Sequence, residues 1–292
     1  MIKLIASDMD GTLIGLNGKI SKENIEAIKL AQRNGIKFAI ATGRAYDDVK
    51  PILDKYDVKC ECVVLNGGEY KDVSGKTVAG IYISKNKTIE ILKVLSKYDN
   101  LSVEIYTDNG YYTTSSREKT LNGMIKRTKT MHSYLTDPDE IYKYAVNSPH
   151  FVKMNYITNL DEFLDADIKI GKLVSFAESI DEINVLKEEL NKLDGLAVSS
   201  SFITNIEINH INATKGSILA KVAEGIDIKK EEVAILGDSS NDYSMFVEFP
   251  NSFAMENAIP EIKQAAKYIT ASNIEHGVAK AIYKILDMQS GN

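Results

Sequence analysis

The first eighty residues alternate short apolar runs with amphipathic segments. Apolar runs at residues 2–7, 36–41 and 62–65 predict three buried strands. After the first run, Ser21 is a predicted helix N-cap, and apolar residues then recur at helical spacing until Asn-Gly at residues 34–35. A second helix is predicted over residues 45–55. Strands that alternate with helices predict a parallel sheet with helices on both faces.

The same alternation returns after about residue 200. Thr214 is a predicted cap for a helix that ends at Gly225. The remaining pattern predicts a strand, a helix, a strand and a closing helix, over residues 233–236, 241–247, 252–255 and 274–288. We therefore predict that the two ends of the chain together form one doubly wound, Rossmann-like core.

The middle of the chain has a different pattern. Residues 101–107 and 110–114 alternate apolar and polar positions around an Asp-Asn-Gly turn, which predicts a β-hairpin. Residues 115–170 are polar, and a strand and a helix are predicted over 172–177 and 180–193. The predicted fold is thus α/β: a core of residues 1–83 and 196–292, split by an inserted α+β cap domain, residues 84–195.

Three polar motifs follow apolar runs of the predicted core. They are Asp-Met-Asp-Gly-Thr at residues 8–12, Thr-Gly-Arg at residues 42–44 and Gly-Asp-Ser-Ser-Asn-Asp at residues 237–242. Ligands of open parallel sheets bind beyond the carboxyl ends of the strands, so the motifs would meet at one edge. Lys215 joins them, because a cation that opens a helix opposes the helix dipole unless it faces an anion. Each feature alone is commonly a solvated turn or surface residue; their joint placement indicates a site.

Phosphoryl transfer accounts for these residue types. Asp8 is a nucleophile that is already ionised at neutral pH when its carboxyl has the ordinary pKa. Asp10 is the candidate general acid and base. Asp8 and Asp238, on different strands, supply two carboxylates for Mg²⁺, and Asp242 is placed to orient a metal-bound water.

Two neighbouring residues offer phosphate contacts. The Thr42 hydroxyl and the backbone amides of Thr42 and Gly43 are potential donors to phosphate oxygens, and glycine permits a close approach.

These motifs, with Asn-Gly at residues 66–67 and the segments 251–258 and 272–279, resemble the haloacid dehalogenase superfamily, in its Cof-type branch of small-metabolite phosphatases. The resemblance implies that Asp8 is the nucleophile and Asp10 the acid and base. It implies Mg²⁺ binding by Asp8, the Asp10 carbonyl and Asp238. It implies a set of phosphate contacts: the Met9 amide, Thr42, Gly43, Lys215 and Asn241.

The resemblance extends to the substrate. The inserted segment is similar to the family's larger cap, which closes over the site and selects the substrate. Arg44, Asn66 and Gly67 are candidate substrate contacts. Residues 210–214 depart from the family's usual Pro and Gly-Val-Ser, which affects the expected shape of that loop and not the lysine or its cap.

We therefore expect a Mg²⁺-dependent phosphatase that hydrolyses small phosphorylated metabolites, with sugar phosphates as the first choice, through an aspartyl-phosphate on Asp8. One alternative is a phosphomutase of the phosphomannomutase type, which returns the phosphoryl group to a bound sugar. The other is a non-catalytic phosphate-binding regulatory protein on the same fold.

Composition excludes some classes of binding partner. The 292 residues carry 35 Lys and Arg against 41 Asp and Glu, a net charge of −6, which argues against nucleic acid and anionic membranes as partners. No apolar stretch approaches the roughly 18 residues that span a bilayer, and the N-terminus lacks the zones of a signal peptide. Cys60 and Cys62 are expected to be reduced thiols. We expect a cytoplasmic protein that is a monomer or a weak homodimer.

Overall fold

The structure is a computed structural model that describes residues 1–15, 18–132 and 134–291. They form two compact units. The first unit spans Met1–Gly80 and Ala213–Asn292, and the second spans Ile81–Asn212.

The strands and helices alternate along the chain. The strands are β1 (Leu4–Ser7), β2 (Lys37–Ala41), β3 (Glu61–Val64), β4 (Glu69–Lys71), β5 (Thr77–Gly80), β6 (Val103–Thr107), β7 (Gly110–Thr113), β8 (Met154–Tyr156), β9 (Ile170–Phe176), β10 (Leu196–Ser199), β11 (Asn205–His210), β12 (Val233–Gly237), β13 (Asn251–Ala254) and β14 (Tyr268–Ile269). The α-helices are α1 (Lys22–Arg33), α2 (Tyr46–Tyr56), α3 (Lys85–Leu95), α4 (Arg117–Met131), α5 (Pro138–Val146), α6 (Pro149–Val152), α7 (Leu160–Asp165), α8 (Ile180–Leu190), α9 (Lys215–Gly225), α10 (Tyr243–Glu248), α11 (Pro260–Ala265) and α12 (Gly277–Ser290).

The first unit is an α/β core around an eight-stranded sheet in the order β14-β13-β12-β1-β2-β3-β4-β5. The strands from β14 to β3 run parallel, whereas β4 and β5 are antiparallel additions at one edge. The central strands are fully buried, which explains their continuous apolar runs. The predicted doubly wound parallel sheet is confirmed, and β1 and β12 lie side by side at its centre.

Local signals set the helix boundaries of the core. The Ser21 side chain accepts the Asn24 N–H to begin α1, and the helix ends at Asn34 before Gly35, whose φ is +80°. The closing helix α12 begins at Gly277 rather than at residue 274. A 3₁₀ turn occupies Asn273–Glu275, and His276 then takes a left-handed conformation that separates the turn from the helix.

The second unit has its own six-stranded sheet, in the order β10-β11-β9-β6-β7-β8. Neighbouring strands are antiparallel except β7 and β8. One face of this sheet carries apolar residues such as Ile105, Leu173 and Ile208, which form a core with apolar residues of α3 and α8. The inserted α+β domain is therefore a separately packed unit.

The inserted unit ends at Asn212, whereas the sequence pattern placed its end at residue 195. Strands β10 and β11 explain the difference. β11 pairs with β9, with Ile208 opposite Leu173, and Ile206 and Ile208 fill the apolar core of the inserted sheet. At the other boundary, Ile83 bridges Ile170, so the unit begins slightly before the predicted residue 84. Strand pairing over this distance leaves no local mark in the sequence.

The sequence pattern did not place several elements. The polar residues 115–170 contain α4 to α7 and β8, and the core contains α11 and β14. The N-caps of α4 to α7 are Ser116, Asp137, Ser148 and Asn159, each of which accepts a backbone N–H. Capping supports helices here where apolar periodicity is weak. Cys60 and Cys62 are buried free thiols, as expected.

Two glycines of α9 give a matched test of core packing. A Cβ on Gly216 would lie 2.2 Å from the Ser244 carbonyl oxygen of the adjacent segment, whereas a Cβ on Gly225 would meet nothing within 4 Å. We expect Gly216→Ala to lower the free energy of unfolding by about 1–3 kcal/mol through overpacking. Gly225→Ala is the control. It should leave the free energy of unfolding unchanged or raise it by up to about 1 kcal/mol, because alanine has the higher helix propensity. Urea unfolding measures both, and equal effects would contradict the packing argument.

Candidate active site

Asp8 lies directly beyond the carboxyl end of β1. Its N–H donates to the Leu236 carbonyl at 3.0 Å, which continues the pairing of β1 with β12. The residue is 4% exposed. Its Oδ1 accepts a hydrogen bond from the Lys215 ammonium at 2.7 Å, and no described residue donates to Oδ2. Lys215 thus holds Asp8 Oδ1, whereas Oδ2 is available for another contact within the buried site.

Lys215 connects two carboxylates. It is the first residue of α9, after an N-cap formed by the Thr214 side chain and the Ser217 N–H. The fully buried ammonium donates to Asp8 Oδ1 and, at 2.6 Å, to Asp242 Oδ1. Burial alone would lower the pKa of Lys215, but Asp242 and Asp8 outweigh it and raise that pKa. The ammonium is therefore charged.

Asp242 is held on both carboxylate oxygens. Oδ1 accepts from Lys215, and Oδ2 accepts the backbone N–H groups of Asp238 at 2.8 Å and Ser239 at 3.0 Å. These bonds fold the turn after β12 around the Asp242 carboxylate. Asp242 therefore holds this turn and the Lys215 ammonium in place, and its orientation of a metal-bound water stays a prediction.

The turn presents Asp238 next to the loop that follows β1. The Asp238 carboxylate accepts hydrogen bonds from the Thr12 hydroxyl at 2.7 Å and the Ser239 hydroxyl at 2.9 Å. Gly11 has a φ of +81°, and a Cβ there would lie 2.4 Å from Asp238 Oδ2. Glycine at this position therefore satisfies the backbone turn and leaves room for the carboxylate.

The cluster has more negative than positive charge. Oxygens of Asp8, Asp238 and Asp242 lie within 4.8 Å of one another. Three carboxylates and the single Lys215 ammonium leave two negative charges. Burial, and then Asp242, raise the pKa of Asp8 well above its usual range, and they raise the pKa of Asp238 to about 7. The ordinary carboxyl pKa assumed from sequence therefore does not apply to Asp8 here. Oxygen ligands with a twofold negative excess fit a divalent cation such as Mg²⁺.

Asp10 forms an ion pair with Arg44. The Arg44 Nε and Nη2 donate to the two Asp10 oxygens at 2.7 and 2.6 Å, a two-pronged contact on partly buried side chains. Such contacts fix the plane of a carboxylate. Sequence reasoning gave Arg44 a substrate contact, and the structure adds a contact with the candidate acid and base.

The loops after β2 and β3 are held together. The Thr42 N–H donates to the Val63 carbonyl at 2.8 Å, so the prediction that this amide binds phosphate is wrong: the amide belongs to the sheet. The Thr42 hydroxyl oxygen accepts the Arg44 N–H at 3.2 Å and keeps its own proton for another acceptor. The Thr42 carbonyl accepts the Asn66 N–H at 2.9 Å.

The Asn-Gly motif lies against two other site loops. Asn241 donates to the Asn66 side-chain oxygen at 3.2 Å, so these two predicted contacts are adjacent. Gly67 has a φ of +101°, and a Cβ there would lie 2.4 Å from the Thr214 carbonyl oxygen. Glycine therefore lets the loop after β3 approach the start of α9.

Met9 shapes the loop after β1 through its backbone carbonyl. The Met9 carbonyl accepts the Thr12 and Ile14 N–H groups at 3.3 and 2.8 Å, which folds the loop after β1. Phosphate binding by the Met9 and Gly43 amides stays a prediction. Sequence reasoning gave no role to Thr12 or Ser239, although both lie in the quoted motifs. The available signal was that Ser239 directly follows Asp238 and that Thr12 lies two residues after Asp10.

The chain matches one protein family over most of its length. Residues 5–282 match the model of the haloacid dehalogenase-like hydrolase family, and the chain belongs to that family. It is an enzyme, a phosphoric monoester hydrolase of the haloacid dehalogenase type. It is 34% identical over 289 residues to the 5-amino-6-(5-phospho-D-ribitylamino)uracil phosphatase YwtE of Bacillus subtilis, covering 99% of each chain.

A second phosphatase and a solved structure are also similar to the chain. The chain is 30% identical to the phosphatase YwpJ of Bacillus subtilis, covering 98% of this chain and 100% of that protein. It superimposes on a solved haloacid dehalogenase-like hydrolase from B. subtilis with a TM-score of 0.84 at 30% identity, covering 97% and 99% of the two chains. Among the described residues, the helices are all too short or too polar to cross a membrane.

The charge excess predicts how Mg²⁺ and protons compete. Without metal, the folded protein binds protons at Asp8 and Asp238 more tightly than the unfolded chain does. Asp238 therefore makes the free energy of unfolding fall as pH rises from about 4 to about 7, and the raised pKa of Asp8 acts in the same direction. Mg²⁺ should replace those protons, so its stabilising effect should grow over the same range.

Thermal unfolding with EDTA or with saturating Mg²⁺, at about pH 5 and about pH 8, measures this. We expect the increase in the free energy of unfolding that Mg²⁺ causes to be larger at about pH 8 than at about pH 5, by on the order of 2 kcal/mol. Asp238→Asn should remove most of it. A Mg²⁺ effect that is independent of pH would contradict the proposed site.

Proposed function

We propose that the chain is a Mg²⁺-dependent phosphatase of small phosphorylated metabolites that works through an aspartyl-phosphate on Asp8. One observation carries the proposal: the buried Asp8 carboxylate has Oδ1 on Lys215 and Oδ2 without a described donor, in a cluster with two excess negative charges. A structural carboxylate at this depth would have its hydrogen bonds satisfied and its charge balanced.

Asp8 performs the first half of the proposed reaction. Its free oxygen attacks the phosphorus atom of a monoester, a bond forms between Asp8 and phosphorus, and the bond from phosphorus to the alcohol oxygen breaks with its electron pair on that oxygen. Lys215 holds the other Asp8 oxygen, which keeps the carboxylate in one orientation during the attack.

Asp10 moves the proton in both halves. In the first half it donates a proton to the departing alcohol. In the second half it removes a proton from the water that attacks the phosphorus atom, inorganic phosphate leaves, and the Asp8 carboxylate returns. The Thr42 hydroxyl and the Lys215 ammonium are the proposed side-chain contacts of the phosphoryl oxygens, with the Asn241 amide beside them.

The residues present fit Mg²⁺. Asp8, the Asp10 carbonyl and Asp238 would hold it, and the ion would screen the repulsion between the Asp8 carboxylate and the phosphate dianion. The hydroxyls of Thr12 and Ser239 keep the Asp238 carboxylate in place.

The relatives guide the choice of substrate. YwtE of Bacillus subtilis is named for a ribityl phosphate, which is a monoester of a sugar alcohol. This supports sugar and polyol monophosphates as the first compounds to test, with 5-amino-6-(5-phospho-D-ribitylamino)uracil among them. We propose that the inserted unit acts as the cap that selects among them.

Asp8→Asn tests the nucleophile. We expect phosphate release from p-nitrophenyl phosphate and from sugar phosphates to fall by at least about 10³-fold, because an amide is a poor nucleophile and forms no acyl phosphate. Phosphate release with Mg²⁺ is measured alongside acid-quenched protein, in which wild type should carry label from ³²P-substrate.

Asp54→Asn is a matched control: Asp54 pairs with Lys50 on the exposed surface of α2, and its loss should leave turnover unchanged. Turnover retained by Asp8→Asn would overturn the assignment. Label that reappears in an isomeric sugar phosphate, instead of in solution, would favour the phosphomutase alternative.

Arg44→Met tests the ion pair with Asp10. Both Asp10 oxygens accept hydrogen bonds from Arg44, so the arginine orients the carboxyl group that must deliver the proton. We expect kcat to fall by about 10- to 100-fold with alkyl phosphates, whose leaving oxygen needs a proton, and by less with p-nitrophenyl phosphate. Arg44→Lys should recover only part of the loss, because lysine cannot make the two-pronged contact. Equal losses for both substrate types would count against an action through Asp10.

A further inference from the structure

Asparagine side chains hold the loop that follows β1, at residues 11–14. The Asn257 side-chain amide donates to the Gly11 carbonyl at 2.8 Å. The Asn273 side-chain amide donates to the Ile14 carbonyl at 3.0 Å. Asn257 follows β13, and Asn273 begins the 3₁₀ turn that precedes α12. Two segments from the C-terminal part of the core are therefore attached to the loop that directly follows the candidate acid and base.

The two asparagines also bond to each other. Asn257 Oδ1 accepts the Asn273 backbone N–H at 2.9 Å. Because a carbonyl only accepts and an N–H only donates, these partners fix the orientation of the Asn257 amide, with its nitrogen toward Gly11 and its oxygen toward Asn273. The Ile14 N–H in turn donates to the Met9 carbonyl at 2.8 Å. Asn257 and Asn273 thus form a continuous bridge between the two ends of the loop, which we call the asparagine bridge.

A third asparagine on the same loop has a structural role. Asn24 of α1 is fully buried, and its side chain donates to the Leu13 carbonyl at 3.3 Å and accepts the Ala279 N–H of α12 at 3.0 Å. Buried polar groups need such partners, so these bonds support the packing of α1 against α12. The bond from Asn257 to Gly11 is exposed, and water can replace it at a small cost in the free energy of unfolding. Stability alone therefore does not account for Asn257.

The backbone at Gly11 needs a constraint from outside the loop. Its φ is +81°, and glycine has more backbone freedom than any other residue. Asp10 precedes it directly, and Arg44 fixes the plane of the Asp10 carboxylate through two hydrogen bonds. The position of that carboxylate also depends on the backbone that carries it. The Asn257 amide fixes the Gly11 carbonyl and thereby restricts the backbone that directly follows Asp10.

We propose that Asn257 is a positioning residue for the proton transfer by Asp10, an inference that rests on the proposed phosphatase function. Asn257 acts through the Gly11 carbonyl, and Asn273 keeps its amide in the orientation that donates. A general acid must lie within hydrogen-bond distance of the departing oxygen, and a small displacement of a positioned group lowers the rate strongly. Loss of the Asn257 amide should therefore slow most those esters whose departing oxygen needs a proton.

The experiment compares Asn257→Ala with the wild type, in Mg²⁺, on p-nitrophenyl phosphate and on the alkyl phosphate that the wild type hydrolyses fastest. We expect kcat to fall by about 10-fold with the alkyl phosphate and by less than about 3-fold with p-nitrophenyl phosphate, with KM within about twofold for both. Asn257→Asp keeps the size of the side chain and the acceptor for the Asn273 N–H but has no donor for Gly11, so it should lose as much. The thermal unfolding midpoint should fall by no more than about 2–4 °C in either variant.

Asn251→Ala is the matched control, because the Asn251 side chain also donates to a backbone carbonyl at 2.8 Å, that of Glu231, at the opposite end of β13. It should leave both rates unchanged. Equal losses of kcat on the two esters in Asn257→Ala, or wild-type kinetics in Asn257→Asp, would overturn the inference and leave the proposed function standing. Asp10→Asn is the reference for direct loss of the acid. If its kcat fell equally on both esters, or if the wild type hydrolysed neither ester, the proposed function would be overturned and the inference with it.

Discussion

The site depends on one buried ammonium. Lys215 holds Asp8 and Asp242 from the first turn of α9, where the helix dipole is unfavourable to a cation. Its position is stable because two carboxylates face it and because Gly67 and Gly216 let neighbouring segments approach the start of that helix. Without Lys215, three carboxylates would be buried together with no compensating charge, so the strand ends that carry them could not come this close.

The same ammonium compensates only part of the negative charge of the cluster. One positive charge against three negative charges holds Asp8 in a single orientation and still leaves a twofold excess that raises the pKa of Asp8 and Asp238. A second lysine would reduce the excess to one negative charge, but it would also occupy the free oxygen of Asp8. The folded core therefore keeps an electrostatic cost that a divalent cation can offset, and this links metal binding to both stability and chemistry.

Sequence reasoning succeeded where the signal is local. The apolar runs, the Ser21 and Thr214 caps and the polar motifs at strand ends predicted the parallel core and the residues that meet beyond it. It was less successful where the outcome depends on distant pairing. The end of the inserted unit follows from β11 pairing with β9, and the Thr42 amide is used by Val63 of the next strand. The raised pKa of Asp8 needs burial and neighbours that only the fold supplies.

The core and the inserted unit handle buried charge in opposite ways. In the core, the carboxylates of Asp8, Asp238 and Asp242 outnumber the Lys215 ammonium, and the proposed Mg²⁺ binding rests on this excess of negative charge. In the inserted unit, each of two buried cations lies beside a carboxylate, Arg127 with Glu104 and Lys172 with Glu207. Because a balanced pair attracts a further ion weakly and an unbalanced cluster attracts it strongly, we expect ion binding at the core cluster and not at these pairs.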